Sequence, residues 1–414
     1  MLKRELVSLP IFPKQKLFVS TIGEFLEVFR DVPSDIREGM PLNFHLPFIY
    51  QNSRASPVLF LASPEDAREV VEICKDAYEG SYPYKEMEDI EYVRRKIVAP
   101  DYHVILFKHL NGRIVGCFKC FLDFDAKKGY MGGFMIKKAF QSKIDVVKAI
   151  VGSYIWMWRE FRDEILVWYC ENRTAHATSQ YMTEVCGIKT VAFLPNKDVF
   201  YNEIESDVIG IIYDELALDA LRAKNVPTII PEIANVFFFA DKRYALGSVR
   251  FQHIAMGLNP LKVRKYAKLI KITVKKLTYC EKAVYEIVTF RMFGTKSHFS
   301  FVHTIFSENL EKVEYAVENS EQLKAFVDEF IRFASERNLR YQEVFVSAYE
   351  PAHQRVFFEA GFEPRGYVPS WKYDNEVGYF EDCVVFNRFK GRLCKNLELT
   401  KEGVELLQQL HLNF

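Results

Sequence analysis

Three side chains in the first half of this 414-residue chain are of types that can do acid–base chemistry or line a substrate pocket. Glu171 directly follows the apolar segment 165–170, which predicts a buried strand, and a carboxylate at a strand end can act as a general base. The alternative is that Glu171 is a solvated loop acid. Tyr82 and Tyr84 belong to a turn-rich aromatic loop, where they either line a pocket or simply pack within the loop.

A turn before the predicted helix 144–160 has the residue types of an anion site. Gln141, Ser142 and Lys143 precede this helix, and the unpaired N–H groups and dipole of a helix N-terminus favour a bound anion. Asp145 places a negative charge at the same point, which Lys143 partly offsets. In the absence of an anion, Asp145 would instead serve as a helix N-terminal residue.

The cysteines predict neither a metal centre nor a redox site. Eight cysteines are scattered along the chain, and only Cys117 and Cys120 form a C-x-x-C pair. Their surroundings predict a strand over 113–123, in which residues 117 and 120 face opposite sides, so they suit neither zinc nor disulfide exchange. We therefore expect reduced, buried cysteines, no metal site and a cytoplasmic location.

Hydrophobic periodicity places the candidate residues in one mixed α/β domain. The predicted order is strand, helix, helix, three strands, helix, strand, helix and two strands, over about 155 residues. Asn111 and Gly112 predict a hairpin between the first two of the three strands. Gly132 and Gly133 fall within the third strand, where they mark either a β-bulge or a bend required for packing.

Composition excludes some classes of partner. Lys and Arg together number 55, as do Asp and Glu, so the totals give no electrostatic support for a nucleic-acid partner. A local basic stretch, 262–276, is interleaved with apolar residues and predicts a solvated helix followed by a strand. No apolar run is long enough for a membrane span, and the N-terminus lacks a signal-peptide core, so no membrane partner is expected.

The second half of the chain repeats the pattern of the first. Gln180 precedes Gly187 by seven residues, and Pro195 follows that glycine by eight. The same spacings recur at Gln354, Gly361 and Pro369. The last strand of each half opens on an aspartate, Asp207 or Asp382. Because the same helices and strands surround these residues, the repeat predicts a duplicated domain.

The first half resembles the GNAT superfamily of acyl-CoA-dependent N-acyltransferases. The resemblance rests on the strand 132–136, the turn 137–145 with its helix, the strand end at Cys170 and Glu171, and the closure around Gly187. The loop 78–84 also resembles a GNAT substrate loop. The resemblance covers about 57–215 and, more weakly, 265–390. It implies two tandem GNAT-like domains, the second degenerate, each a mixed, mostly antiparallel sheet flanked by helices.

The resemblance also implies a cofactor and a reaction. Acetyl-CoA or another acyl-CoA would donate its acyl group to the amine of a small molecule or peptide. Cofactor contacts would come from Phe134, Met135, Ile136, Gln141, Ser142, Lys143 and His176. Glu171 and Tyr181 would be catalytic, and Tyr82 and Tyr84 would bind the acceptor. The chain departs from the family where Ile144 and Val146 replace the glycines of the phosphate turn, and where Thr183 replaces a frequent tyrosine.

The same departures support an alternative, a non-catalytic GNAT-fold binding or scaffold subunit that has lost its phosphate loop. In the second half, Glu314, Glu318 and Glu321 crowd the corresponding turn, so no CoA is expected there. The expected segments are an N-terminal extension (1–56), a first domain (57–215), a connecting segment (216–264), a second domain (265–392) and a C-terminal helix (393–414). The extension or the second domain would offer a surface to a protein partner.

Overall fold

The computed structural model describes residues 16–47, 54–279, 282–410 and 412. Its α-helices are α1 (Ile22–Val28), α2 (Ala67–Tyr78), α3 (Ile90–Ile97), α4 (Val146–Glu160), α5 (Ala177–Val185), α6 (Glu215–Leu218), α7 (Ala234–Tyr244), α8 (Pro260–Ala267), α9 (Ser320–Glu336), α10 (Pro351–Glu359) and α11 (Lys401–Gln409). Its strands are β1 (Met40–Pro41), β2 (Val58–Leu61), β3 (Tyr102–Lys108), β4 (Ile114–Asp123), β5 (Lys128–Ile136), β6 (Val167–Arg173), β7 (Lys189–Phe200), β8 (Glu203–Tyr213), β9 (Thr228–Ile229), β10 (Arg250–Phe251), β11 (Ile270–Tyr279), β12 (Lys282–Met292), β13 (His298–Thr304), β14 (Asn309–Ala316), β15 (Tyr341–Ser347), β16 (Glu363–Asp374) and β17 (Tyr379–Phe389).

Fifteen of these strands form one continuous sheet. Their order is β1-β2-β3-β4-β5-β6-β8-β7-β16-β17-β15-β14-β13-β12-β11, and β9 and β10 form a separate pair. Within the large sheet only β5–β6 and β14–β15 are parallel pairs, and the other neighbours are antiparallel. The predicted fold class is confirmed: the chain is a mixed α/β protein with a mostly antiparallel sheet flanked by helices.

The sheet has the same connectivity when read inward from either end. The first half, 58–213, contributes β2-β3-β4-β5-β6-β8-β7, and the second half, 270–389, contributes β11-β12-β13-β14-β15-β17-β16. The halves meet where Ala192 of β7 pairs with Gly366 of β16. These two residues are 174 positions apart, as are Gly187 and Gly361. The pairing therefore joins equivalent positions of the two halves, as at a two-fold axis.

The close approach of the β7 and β16 backbones at this junction explains why residue 366 is a glycine. A Cβ on residue 366 would lie 2.4 Å from the Cβ of Ala192 and 2.4 Å from the carbonyl oxygen of Val191. No side chain fits within that distance, so only glycine lets the two backbones pair.

Each half also holds a segment that follows the other half in sequence. In the first half, Gln180 of α5 donates to the carbonyl of Glu398 (3.0 Å), and its side-chain oxygen accepts from the N–H of Thr400 (3.3 Å). In the second half, Gln354 of α10 donates to the carbonyl of Thr228 (3.2 Å) and accepts from the N–H of Ile230 (3.0 Å). The segment that leads into α11 follows the second half in sequence but is bound by the first half. The segment that leads into α7 follows the first half but is bound by the second.

The segment before β2 packs on the first half. Phe25 of α1, Phe29 directly after it and Leu42 are buried in the same core as Trp158 of α4. A second large core in the other half includes Phe326 and Phe330 of α9. Burial of these aromatic side chains is the main source of stability in both halves.

Register corrects one detail of the predicted repeat. Asp207 lies opposite Leu194, whereas Cys383 lies opposite Val368, the residue 174 positions after Leu194. Asp382 is therefore equivalent to Ser206 rather than to Asp207. Adjacent residues of a strand face opposite sides, so the two aspartates point in opposite directions.

Cys117 packs among residues of α2 and α3 and Cys120 among residues of α1 and α4, which confirms that they face opposite sides of β4. Within the described residues six cysteines are buried, Cys394 is half-buried, and none forms a disulfide, while Cys280 lies outside the described ranges. Among the helices described, none has the length and apolar character needed to cross a bilayer.

Candidate functional site

The parallel strands β5 and β6 separate soon after they begin. They pair at Lys128–Val167, Gly129–Trp168 and Tyr130–Tyr169, after which their register ends. The β4–β5 register shifts between Cys117 and Lys119, opposite Gly132 and Met135. Gly133 lies in this irregular stretch with a φ of +60°, a conformation that favours glycine. The glycine pair therefore marks a β-bulge, one of the two alternatives left open by the sequence, at the mouth of a wedge between the strands.

A buried lysine lies beside this wedge, between the two halves. The side chain of Lys197, on β7, is 1% exposed. Its ammonium nitrogen lies 2.6 Å from a carboxylate oxygen of Glu171 on β6. It also lies 3.5 Å from Glu311 on β14 and 3.6 Å from Glu343 on β15. Together with the neighbouring Asp198 these residues form what we call the Lys197 cluster.

The charges in the Lys197 cluster control one another. Burial opposes the charged form of Lys197, but Glu171, Glu343 and Glu311 outweigh it and raise the lysine pKa well above its ordinary value. Burial also raises the pKa of Glu343 to about 7, although Lys197 acts against the shift. Asp198 behaves similarly, with a pKa raised by burial to about 6. For Glu311 the attraction of Lys197 overcomes burial, and the pKa is lowered. Some of these carboxyls are therefore protonated near neutral pH.

The aromatic loop reaches the same cluster. The Tyr84 hydroxyl donates to Asp198 at 3.5 Å, and the Tyr84 ring contacts that of Tyr82, with centroids 5.4 Å apart. Tyr82 is buried, and the ammonium group of Lys119 lies 5.6 Å from its ring centroid. Of the two predicted acceptor-binding tyrosines, Tyr84 thus lies beside the Lys197 cluster, and Tyr82 packs against the ring of Tyr84.

The turn before α4 is closed by the chain itself. Asp145 is the N-cap of α4, and its carboxylate accepts from the N–H of Lys148 at 3.0 Å. The N–H of Ala55 donates to the carbonyl of Lys143 (3.1 Å), and the N–H of Asp145 donates to the carbonyl of Ala55 (2.9 Å). A carboxylate and a neighbouring strand segment therefore occupy the place predicted for an anion. The residues at this helix N-terminus do not fit a diphosphate.

Six of the remaining predicted cofactor contacts lie on β5 or in the turn that follows it, and the seventh, His176, lies at the start of α5. Phe134 is half-buried against Phe107, with ring centroids 5.4 Å apart, and Met135 and Ile136 are buried. Gln141 donates to the carbonyl of Ile136 at 3.5 Å. The others are exposed: Ser142, Lys143 and His176, the last of which is the N-cap residue of α5.

Tyr181 does not join Glu171. Alternate residues of β6 face opposite sides, and Asn172 reaches α5 through a hydrogen bond from its side-chain nitrogen to the hydroxyl of Thr183 (3.1 Å). Tyr181 therefore lies with α5 on one face of the sheet and Glu171 on the other. Burial raises the pKa of Tyr181 to about 12. Glu171 and Tyr181 are both predicted catalytic residues, and the structure places them on opposite faces of the sheet.

Sequence reasoning missed most of the Lys197 cluster. Its only signal is an adjacent lysine and aspartate that follow Pro195 and Asn196, two residue types that are typical of a turn. Instead β7 continues to Phe200, through a register shift between Leu194 and Asp198 at which Asn196 has a φ of +57°. The partners Glu311 and Glu343 come from the other half, so local sequence gives no sign of them.

Comparisons with known proteins find structural likeness without sequence relatives. No family model matches the chain, and no curated protein matches it. Among solved structures, the chain is similar to a mutant form of spermidine N-acetyltransferase SpeG from Vibrio cholerae, with 14% identity, 41% of this chain and 99% of that chain covered, and a TM-score of 0.34. It is also similar to the microcin self-immunity acetyltransferase MccE in complex with acetyl-CoA and AMP, with 15% identity, coverages of 39% and 93%, and a TM-score of 0.32.

Proposed function

We propose that the chain is an N-acyltransferase that uses the wedge of its first half to transfer an acyl group from acyl-CoA to an amine. The observation that carries this proposal is the separation of β5 and β6 beside a bulge at Gly133, with Glu171 on the adjoining strand. In this arrangement the backbone of Gly132–Phe134, which is half-buried, can receive an extended thioester arm. The two halves would be copies of one domain, with the second copy supplying one wall of the cleft.

Electrostatics favour a cationic acceptor. Lys197 is the one cation among the four carboxyl groups of its cluster, and the buried Arg340, which donates to the Lys197 carbonyl at 3.1 Å, adds a second positive charge beside Asp198. Four carboxyl groups against two cations leave a negative excess, which partial protonation near pH 7 reduces. A cleft lined by one sign of charge concentrates ligands of the other sign. Glu171 is one-fifth exposed, so an amine can approach it, while Lys197 orients its carboxylate. In this proposal Glu171 takes the proton from the attacking ammonium group.

A specific observation favours the second candidate, a non-catalytic binding or scaffold subunit. Asp145 and Ala55 close the helix N-terminus at which the diphosphate of a CoA would otherwise lie. No step is assigned to that part of the cofactor. If an acyl-CoA binds, its diphosphate must contact side chains around the turn rather than the helix N-terminus.

Calorimetry with acetyl-CoA separates the two candidates. Wild type should bind, and Asp145→Ser should bind about tenfold more tightly, because it removes a charge near the diphosphate while keeping an N-cap residue. Glu171→Gln should retain binding and lose acyl transfer to a panel of small amines, whereas the exposed Glu203→Gln should retain both. If neither wild type nor Asp145→Ser binds acetyl-CoA, the acyltransferase proposal is wrong and the non-catalytic binding or scaffold subunit is the better assignment.

A further inference from the structure

The two ends of the large sheet are finished differently. At the first end β2 is covered by β1, which pairs through Met40 and Pro41 and is the last strand on this side among the residues that the structure describes. A two-residue strand with a proline is a common way of closing a sheet edge. At the other end, among the described strands, β11 has a neighbour on one side only.

The open edge at β11 is long and partly apolar. The strand has ten residues, and Ile272 and Val274, which share one face, are 42% and 41% exposed. Leu277, which is 42% exposed, lies on the opposite face. Ile272 pairs with Phe290 and Val274 with Val288, and both partners are buried in the second-half core. The core-facing surface of the sheet therefore continues onto β11 without cover, where an added strand would bury it.

The opposite face of this edge is strongly basic. Lys271 lies directly across from Arg291, and Lys275 lies four residues further along the strand on the same face. Like charges that face each other across strands are unfavourable unless a neighbour of opposite sign compensates them. The chain has no acidic residue between Asp241 and Glu281, a segment with ten lysines and arginines in a protein whose formal net charge is zero. Three of these, Lys271, Lys275 and Lys276, lie on β11. Lys276 lies on the apolar face, 3.8 Å from Glu286, which leaves Lys271 and Lys275 as the basic residues of the opposite face.

We propose that β11 is the docking strand for an extended acidic polypeptide segment that adds a further strand to the sheet. Backbone groups of the segment would pair with the free edge. Its alternate apolar side chains would cover Ile272 and Val274, and its acidic side chains on the other face would meet Lys271 and Lys275. A second copy of the chain would bring the same lysines to the edge, so charge disfavours that occupant.

The full-length chain provides the test, with a fluorescent peptide of about ten residues in which valine alternates with glutamate as the probe. We expect saturable binding in an anisotropy titration. A peptide with lysine in place of each glutamate, and a Lys271→Glu, Lys275→Glu double variant, should each weaken binding by about tenfold or more. Lys390→Glu with Lys401→Glu is the matched control, since both lysines are exposed and lie outside β11; it should leave binding unchanged.

Backbone methylation distinguishes strand addition from charge attraction. Two further peptides carry N-methyl groups on either the odd or the even residues, and only the one whose methyls face β11 should lose binding. Equal loss or equal retention would overturn the proposal. Failure of the unmodified peptide to bind would also overturn the proposal. The same holds if that peptide fails while vesicles containing phosphatidylserine or a single-stranded oligonucleotide bind at this edge.

Discussion

Equivalent strand positions in the two halves carry opposite chemistry. In the first half Lys197 of β7 pairs with Glu171 of β6. The positions 174 residues later hold Trp371 of β16 and Phe345 of β15, whose rings stack with centroids 4.6 Å apart. The strand framework is shared, so the difference lies in the side chains that it presents: a charged pair in one half and an apolar pair in the other.

The contacts across the junction follow the same relation. Lys197 reaches Glu343 of the second half at 3.6 Å, and Trp371 contacts Tyr169 of the first half with ring centroids 4.9 Å apart. Tyr169 and Glu343 are themselves 174 positions apart. One contact is electrostatic and its counterpart is aromatic. The comparison shows that charged residues lie on one side of the junction, around Lys197, whereas aromatic packing stabilises the other side, around Trp371.

The largest expected effect comes from removing the buried cation. Lys197→Met leaves Glu171, Glu311 and Glu343 without their shared partner, and breaking a buried ion pair in this way costs about 3–5 kcal/mol. Urea unfolding should show this loss at pH 8. Addition of Glu311→Gln to the variant should restore part of the stability, because it removes one uncompensated charge. A fully stable single variant would show that the cluster does not hold the halves together.

A pH-dependent effect of similar size is expected at Glu343. Its folded-state pKa of about 7 exceeds its ordinary value, so its contribution is present at low pH and is lost as pH rises from about 4.5 to 7. Glu343→Gln should therefore be more stable than wild type at pH 8, by about 3 kcal/mol at about 1.4 kcal/mol per pKa unit, and similar to it at pH 4. Thermal unfolding across this range would measure it. Parallel curves for the two proteins would contradict the assignment, and the exposed Glu203→Gln should behave like wild type.

Gly366→Ala tests the pairing of equivalent positions at the junction. The new methyl group would meet Ala192 and the carbonyl of Val191 at 2.4 Å, and overpacking of this kind costs about 1–3 kcal/mol. Gly257→Ala is the control, because no atom lies within 4 Å of a Cβ built there. Equal stability of the two variants would mean that the strands do not approach as closely as described.

The smallest effects sharpen the comparison of the two halves. Gln180→Ala and Gln354→Ala each remove a buried amide that holds the segment following the other half. Each should cost about 1–2 kcal/mol, since backbone groups lose their partners. Similar losses in calorimetric unfolding would support equivalent roles. A loss confined to one variant would show that only one of the exchanged segments is held by its glutamine.

The sequence by itself predicted the α/β class and the hairpin at Asn111 and Gly112, and it offered a bulge at the glycine pair as one of two alternatives. These features depend on local periodicity and on backbone preferences, which neighbouring residues determine. The repeated spacing of Gln180, Gly187 and Pro195 has the same offset of 174 residues that separates the paired residues Ala192 and Gly366. Glu171 was identified as a carboxylate at the end of an apolar strand segment, but β6 continues past it to Arg173, so Glu171 lies within the strand.

Only the tertiary structure decided what surrounds Glu171. Lys197 lies beyond a proline that suggested the end of a strand, and its other partners, Glu311 and Glu343, are more than a hundred residues away in sequence. Burial creates the pKa shifts of this cluster, and burial depends on how the halves meet. The closure of the turn by Asp145 and Ala55 likewise joins residues far apart in the chain. Local sequence patterns determine the strands and helices, but contacts between distant segments determine which charged groups are paired, buried or available for acid–base chemistry.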